Sequence, residues 1–343
     1  MSRAQFQYHP VFGYHFIPGL RARVSHEGGG YLVRANASGF RSDREFVPTK
    51  APGTYRVLLF GDSYTAGDGV SNGARYGDLL EALLPNVEVY NFGLPGSGTD
   101  QQWLIHREMA RGIDADLVIA AVLVENVRRN AARYRLYDTG DGEQLFAKPY
   151  FTLDAPGGLT LHNVPVPKDP IPPHELLAED EQFVDRGGGL VWLRKLVDGL
   201  GLKSVVQSLV GQNPLPAYDR ADSPEWLLTR AILSAWLAPL DVPVVLMPVP
   251  LYHYIEEIAD PGAYRARFTE LAASLPNATL HDPLVDFLAV PKVQRRSFRF
   301  EHDVHPTPLA HKLMAESLAR VIAPMASRAS SAAGQASSRT PSE

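Results

Sequence analysis

Ser63 ends the run Val57-Leu58-Leu59-Phe60-Gly61-Asp62-Ser63, where four apolar residues stop at a small polar turn. A serine hydroxyl becomes a nucleophile only when a base removes its proton. Taken alone, Gly-Asp-Ser is equally a capping serine at a strand-to-helix turn. A matching base is found late in the chain, in Glu301-His302-Asp303-Val304-His305-Pro306-Thr307-Pro308-Leu309-Ala310-His311, which holds three of the eleven histidines. Residues i and i+2 of an extended segment point the same way, so Asp303 can fix the tautomer of His305 while His305 takes the serine proton. Three histidines beside an acid also suit a metal. Against that reading stand the absence of cysteine and of His-Glu-x-x-His, and a spacing unlike that of common zinc helices. His302 and His311 are expected to pack or cap locally, and neither a metal nor a cofactor is expected.

Two other segments offer hydrogen-bond donors. Asn91-Phe92-Gly93-Leu94-Pro95-Gly96-Ser97-Gly98-Thr99 is dense in residues that permit close backbone approach and can aim an amide at a developing oxyanion. It also reads as a tight turn, or as a phosphate cradle lacking the Gly-Lys-Ser/Thr of a P-loop. In Val124-Glu125-Asn126-Val127-Arg128-Arg129-Asn130, Asn126 can donate its side-chain amide to the same oxyanion, or Asn126 and Asn130 can cap a helix. Glu125 has no second carboxylate near it in sequence for paired acid and base work, and a supporting role is expected for it.

These segments matter together only if the fold brings them to one edge. From Tyr55 the pattern alternates: strand 55–60, helix about 74–84, strand 87–90, helix about 99–111, strand 117–124. It resumes with a helix from Ser223-Pro224-Glu225 to about Leu237, a strand 242–248, a helix around 262–275, a strand near 278–281 and a last helix from Pro308 to about Ile322. This predicts an α/β fold, a doubly wound parallel sheet with helices on both faces, whose ligands gather at the carboxyl ends of the strands. Residues 1–52 read as an N-terminal extension with short strands, and 53–326 as the main domain. An insertion or cap is expected at about 135–222, Pro-rich, with one helix over Leu190–Val210. Trp192, Trp226 and Trp236 are expected in the core. Residues 327–343, rich in Ser and Ala, are expected to be disordered.

Composition narrows the partners. The chain has 343 residues, 45% of them hydrophobic, enough for one sizeable core. Its 33 basic and 38 acidic residues form no basic cluster interleaved with aromatics, so no nucleic-acid partner is expected. The amino terminus lacks an apolar signal region, and the longest apolar run, Leu117 to Val124, is too short to span a bilayer. A cytoplasmic protein without a membrane span is expected.

The four blocks Gly61-Asp62-Ser63, Asn91 to Gly96, Asn126 and Asp303-x-His305 resemble the SGNH (GDSL) hydrolase superfamily, over a stretch from about Asn36 to His311. Asn36-Ala37-Ser38-Gly39-Phe40-Arg41 adds a likeness to its bacterial members. The resemblance implies a flavodoxin-like sheet, Ser63 as nucleophile, His305 as base with Asp303 beside it, and an oxyanion hole from the Ser63 amide, the Gly96 amide and Asn126. It implies a serine esterase acting through an acyl-enzyme on a small-molecule or carbohydrate acyl ester. An O-acyltransferase using the same acyl-enzyme and a non-catalytic binding module keeping the fold are the alternatives. The chain departs from the family pattern in three places: the acid stands two rather than three residues before the histidine, Val127 rather than Asp follows Asn126, and Ala310 stands where a helix-start glycine is usual.

Overall fold

The chain opens with two antiparallel hairpins, β1 (Phe6–His9) with β2 (Gly13–Phe16) and β3 (Arg21–Val24) with β4 (Tyr31–Arg34). These come from a computed structural model that describes residues 3–139, 142–154, 158–172, 174–185 and 213–337. Strand β4 alternates: Tyr31 and Val33 turn inward and pack with Phe16 and Ala35, leaving Leu32 outside. Further along, Phe40 packs edge-on against Phe92, and Phe46 stacks on Tyr90, so the extension is anchored in the main core.

Unbroken apolar runs become inner strands because a sheet covered on both faces offers them no wet side. Strands β5 (Tyr55–Phe60), β6 (Val87–Asn91) and β7 (Leu117–Leu123) follow in the expected places, and every residue of β5 and β7 is buried. The chain then leaves the sheet for β8 (Tyr134–Asp138), β9 (Glu143–Ala147), β10 (Tyr150–Asp154), β11 (Gly158–His162) and the two-residue β12 (Val184–Asp185). It returns as β13 (Val244–Val249) and β14 (Ala278–Leu280). The sheet is wholly parallel, in the order β14-β13-β7-β5-β6. That is the flavodoxin-like order, with the first strand between the second and third, so the winding reverses between β5 and β7. Helices Tyr76–Leu83 and Pro308–Ser337 pack together, and the helix Pro224–Leu237 packs with Thr99–Ile105 and Asn126–Ala131. Trp226 and Trp236 are buried, and Phe60 lies between Phe92, stacked at 5.1 Å, and Trp236, edge-on at 5.4 Å.

One expectation needs correcting. The final helix runs through Ser337, so the stretch 327–337, read as disordered, is helical. Alanine has the strongest helix propensity, and Met325, Ala326 and Ala329 pack against the core, which carries the helix onward from its buried part. Within 135–222 the described part holds two hairpins, β8 with β9 and β10 with β11, and short 3₁₀ turns at Ala178–Phe183 and Pro216–Tyr218. Short strands carrying Tyr, Arg and Thr between prolines give little periodic signal. The expected helix Leu190–Val210, with Trp192, lies outside the described residues. No described helix is long and apolar enough to cross a membrane.

Candidate active site

The first block sits where β5 ends. Asp62 caps the short helix Ser63–Ala66, accepting the Tyr64 amide at 3.1 Å. Gly61 must lack a side chain, since a Cβ there would come within 2.0 Å of Thr65 Oγ1. Ser63 follows at the carboxyl end of β5, beside the reversal in strand order.

The last block reaches it from the far end of the chain. Nε2 of His305 lies 2.9 Å from Ser63 Oγ, and Nδ1 lies 2.6 Å from Asp303 Oδ1. Because an ionised carboxylate can only accept, Nδ1 carries the proton and Nε2 is left to accept from the serine hydroxyl. The His305 backbone amide also donates to Asp303 Oδ1, at 2.9 Å, which closes the two-residue spacing into a local turn. Tyr64 fixes the segment by donating its hydroxyl to the Val304 carbonyl at 2.9 Å.

Electrostatics match this arrangement. Burial raises the cost of the Asp303 charge, yet the hydrogen bond and charge of His305, with a further bond from His26, hold its pKa well below the usual carboxylate range. Burial likewise disfavours a His305 imidazolium, but the Asp303 bond and the negative charges of Asp68, Asp303 and Asp62 prevail and raise its pKa above the ordinary value.

Arg129, which no sequence pattern singled out, ties the other blocks to the first. Its Nη1 donates to Asp62 Oδ2 at 2.5 Å, to Asn126 Oδ1 at 3.2 Å and to the Ser97 carbonyl at 3.4 Å, while Nη2 pairs with Glu125 at 3.3 Å. Its place one helical turn after Asn126 is the signal that would have found it. With Oδ1 so held, the Asn126 amide nitrogen is fully buried and has no partner among the described residues. Asn130, one turn further along the same helix, is already committed: it accepts from the Asp100 amide at 3.3 Å and donates to Thr229 Oγ1 at 2.9 Å.

The glycine-rich loop after β6 is held from outside by its carbonyls. Tyr14 donates to Pro95 O at 2.6 Å, Arg135 to Gly96 O, and Arg129 to Ser97 O. In a trans peptide the N–H opposes the carbonyl, so the Gly96 amide faces away from Tyr14. Gly96 has φ +78°, and a Cβ there would fall 2.4 Å from the Arg135 guanidinium. Lys148, between β9 and β10, pairs with the buried Asp100 and donates to the Arg129 and Ala132 carbonyls at 3.0 Å each.

The remaining histidines of the last block diverge. His302 is exposed with its amide held by Glu27 at 2.9 Å, while buried His311 stacks on Tyr76 and accepts the Tyr76 amide at 3.2 Å. A small cavity lined by Tyr64, Val304, Phe298 and Met314, with Glu256 and Arg299 at its wall, adjoins the His305 segment.

No family model and no curated protein matches the chain. Among solved structures it is similar to a member of the lipolytic G-D-S-L family from Veillonella parvula, at 14% identity and TM-score 0.40, covering 79% of this chain and 99% of that one. An acetylxylan esterase from Geobacillus stearothermophilus is similar at 15% identity and TM-score 0.43, covering 78% and 93%. A lipase/acylhydrolase from Enterococcus faecalis is similar at 13% identity and TM-score 0.41, covering 78% and 95%.

Proposed function

We propose that this chain is a serine ester hydrolase of the SGNH type, cleaving an O-acyl ester through an acyl-enzyme on Ser63. The observation that carries the reading is the continuous relay from Ser63 Oγ to His305 Nε2 at 2.9 Å and from His305 Nδ1 to Asp303 at 2.6 Å. In this reading Ser63 Oγ attacks the ester carbonyl as His305 Nε2 takes its proton, and Asp303 steadies the imidazolium that forms. The Ser63 and Gly96 amides and the Asn126 amide nitrogen receive the negative oxygen of the tetrahedral intermediate. An unpartnered buried donor supports this role for Asn126, because such a group costs free energy unless something polar comes to it. Collapse of the intermediate expels the alcohol, protonated by His305, and leaves the acyl group on Ser63. Water then attacks with His305 again as base, releasing the acid and the free serine.

The test is covalent labelling by a fluorophosphonate together with hydrolysis of p-nitrophenyl acetate. Wild-type protein should do both, and Ser63→Ala should do neither while keeping the wild-type melting temperature within a few degrees. Full hydrolytic activity in Ser63→Ala would remove this mechanism.

A further inference from the structure

The spacing of the acid and the base leaves a mechanical problem. Oδ1 of Asp303 takes both the ring and the backbone N–H of His305, so the other oxygen must be held if the carboxylate is not to rotate. Asp303 is also 34% exposed, open to competition from water. The N-terminal extension supplies the missing contact: His26 Nε2 lies 3.2 Å from Asp303 Oδ2.

The proton on that contact can be assigned. The Gly28 amide donates to His26 Nδ1 at 3.2 Å, so Nδ1 is an acceptor and the hydrogen sits on Nε2, pointing at Asp303. The ring is held by Phe300, edge-on at 4.4 Å, and Tyr31, at 5.9 Å. Next door, Glu27 accepts the amides of Glu301 and His302 at 2.9 Å each, so the extension grips the loop that carries Asp303.

We propose that His26 is a positioning residue, completing a relay Ser63–His305–Asp303–His26 in which an N–H from the extension orients the acid. The proposal rests on the hydrolase reading for its kinetic consequence, not for the coupling itself. Removing the donor leaves Asp303 freer to turn and more basic, so His305 holds its proton more tightly. The ionisable and charged groups facing His305 are Asp303 from its own segment, Asp62 and Asp68 around the Ser63 helix, and His311 from the last helix.

His26→Phe keeps a ring between Phe300 and Tyr31 but removes the N–H, and His26→Leu serves should the phenyl ring not be accommodated. His26→Gln keeps an N–H of similar reach. In wild type, kcat/KM on p-nitrophenyl acetate should rise through an acid limb above the ordinary imidazole value of about 6.5, because His305 works as the neutral base. His26→Phe should lower kcat about tenfold with KM little changed, the equivalent of one ordinary hydrogen bond. It should also move both the acid limb and the His305 ring titration, followed by NMR, up by about half a unit. His26→Gln should restore both. An unmoved His305 titration in folded His26→Phe or His26→Leu, or a His26→Gln no better than they are, overturns the proposal. Wild-type protein that the fluorophosphonate does not label would overturn the hydrolase reading alone, and the His305 titration would still decide the role of His26.

Discussion

At the scale of single residues the site is a set of committed and uncommitted hydrogen-bonding groups. Every polar atom of Asn130 that the fold uses is spoken for, whereas the Asn126 amide nitrogen is buried and free among the described residues. In the proposed mechanism the oxyanion role therefore goes to Asn126, although Val127 replaces the aspartate of the family pattern. Asn126→Ala should reduce kcat on p-nitrophenyl acetate by about 10²–10³ with a near-wild-type melt, the usual cost of one oxyanion donor. Unchanged turnover would move the donor elsewhere. Ser63, Asp303 and His305 were legible because their chemical types require one another. Arg129 was less so, and His26 not at all, since a contact across 277 residues leaves no local pattern.

At the scale of elements, strands β5, β7 and β13 were legible from runs of Val, Leu and Ile that suit a fully buried strand. The hairpins β8–β9 and β10–β11 were not, because half-buried strands of mixed composition owe their pairing to the surface they cover. What they cover is the back of the site. Lys148, at the turn between them, satisfies the buried Asp100 and two carbonyls at the end of the Asn126–Ala131 helix. Lys148→Met strands the Asp100 carboxylate and should cost about 3–5 kcal/mol in a urea melt, in line with breaking other buried pairs. Adding Asp100→Asn should recover part of that loss. A single variant as stable as wild type would show that Lys148 does not carry this charge.

At the scale of the whole molecule, the extension, the sheet and the hairpins meet around the loops that carry Ser63 and Gly96. The reversal of winding between β5 and β7 sends their following loops apart, which makes room for a ligand between Ser63 and Asn126. The extension grips the segment after the Ser63 helix through Arg41, whose buried guanidinium donates to the carbonyls of Ala66, Gly67 and Val70 and to its own Leu32. Burial, then the charge of Arg75, lowers its pKa to about 10, so it stays charged at neutral pH. Arg41→Met leaves the Ala66 and Val70 carbonyls without their donor, while Leu32 and Gly67 keep backbone partners, at about 1–3 kcal/mol for each that water cannot reach. It should lower the melting temperature measurably and slow fluorophosphonate labelling of Ser63, and equal labelling rates would separate the extension from the site. The sequence by itself determined the alternation of strands and helices and singled out the candidate nucleophile, base and acid, because burial and proton transfer each demand particular residue types over short spans. Only the tertiary structure decided which asparagine stays free, which arginine ties the blocks together and which histidine steadies the acid. Those choices depend on where unlike segments meet, and hydrogen-bond satisfaction at a meeting point is a property of both segments at once.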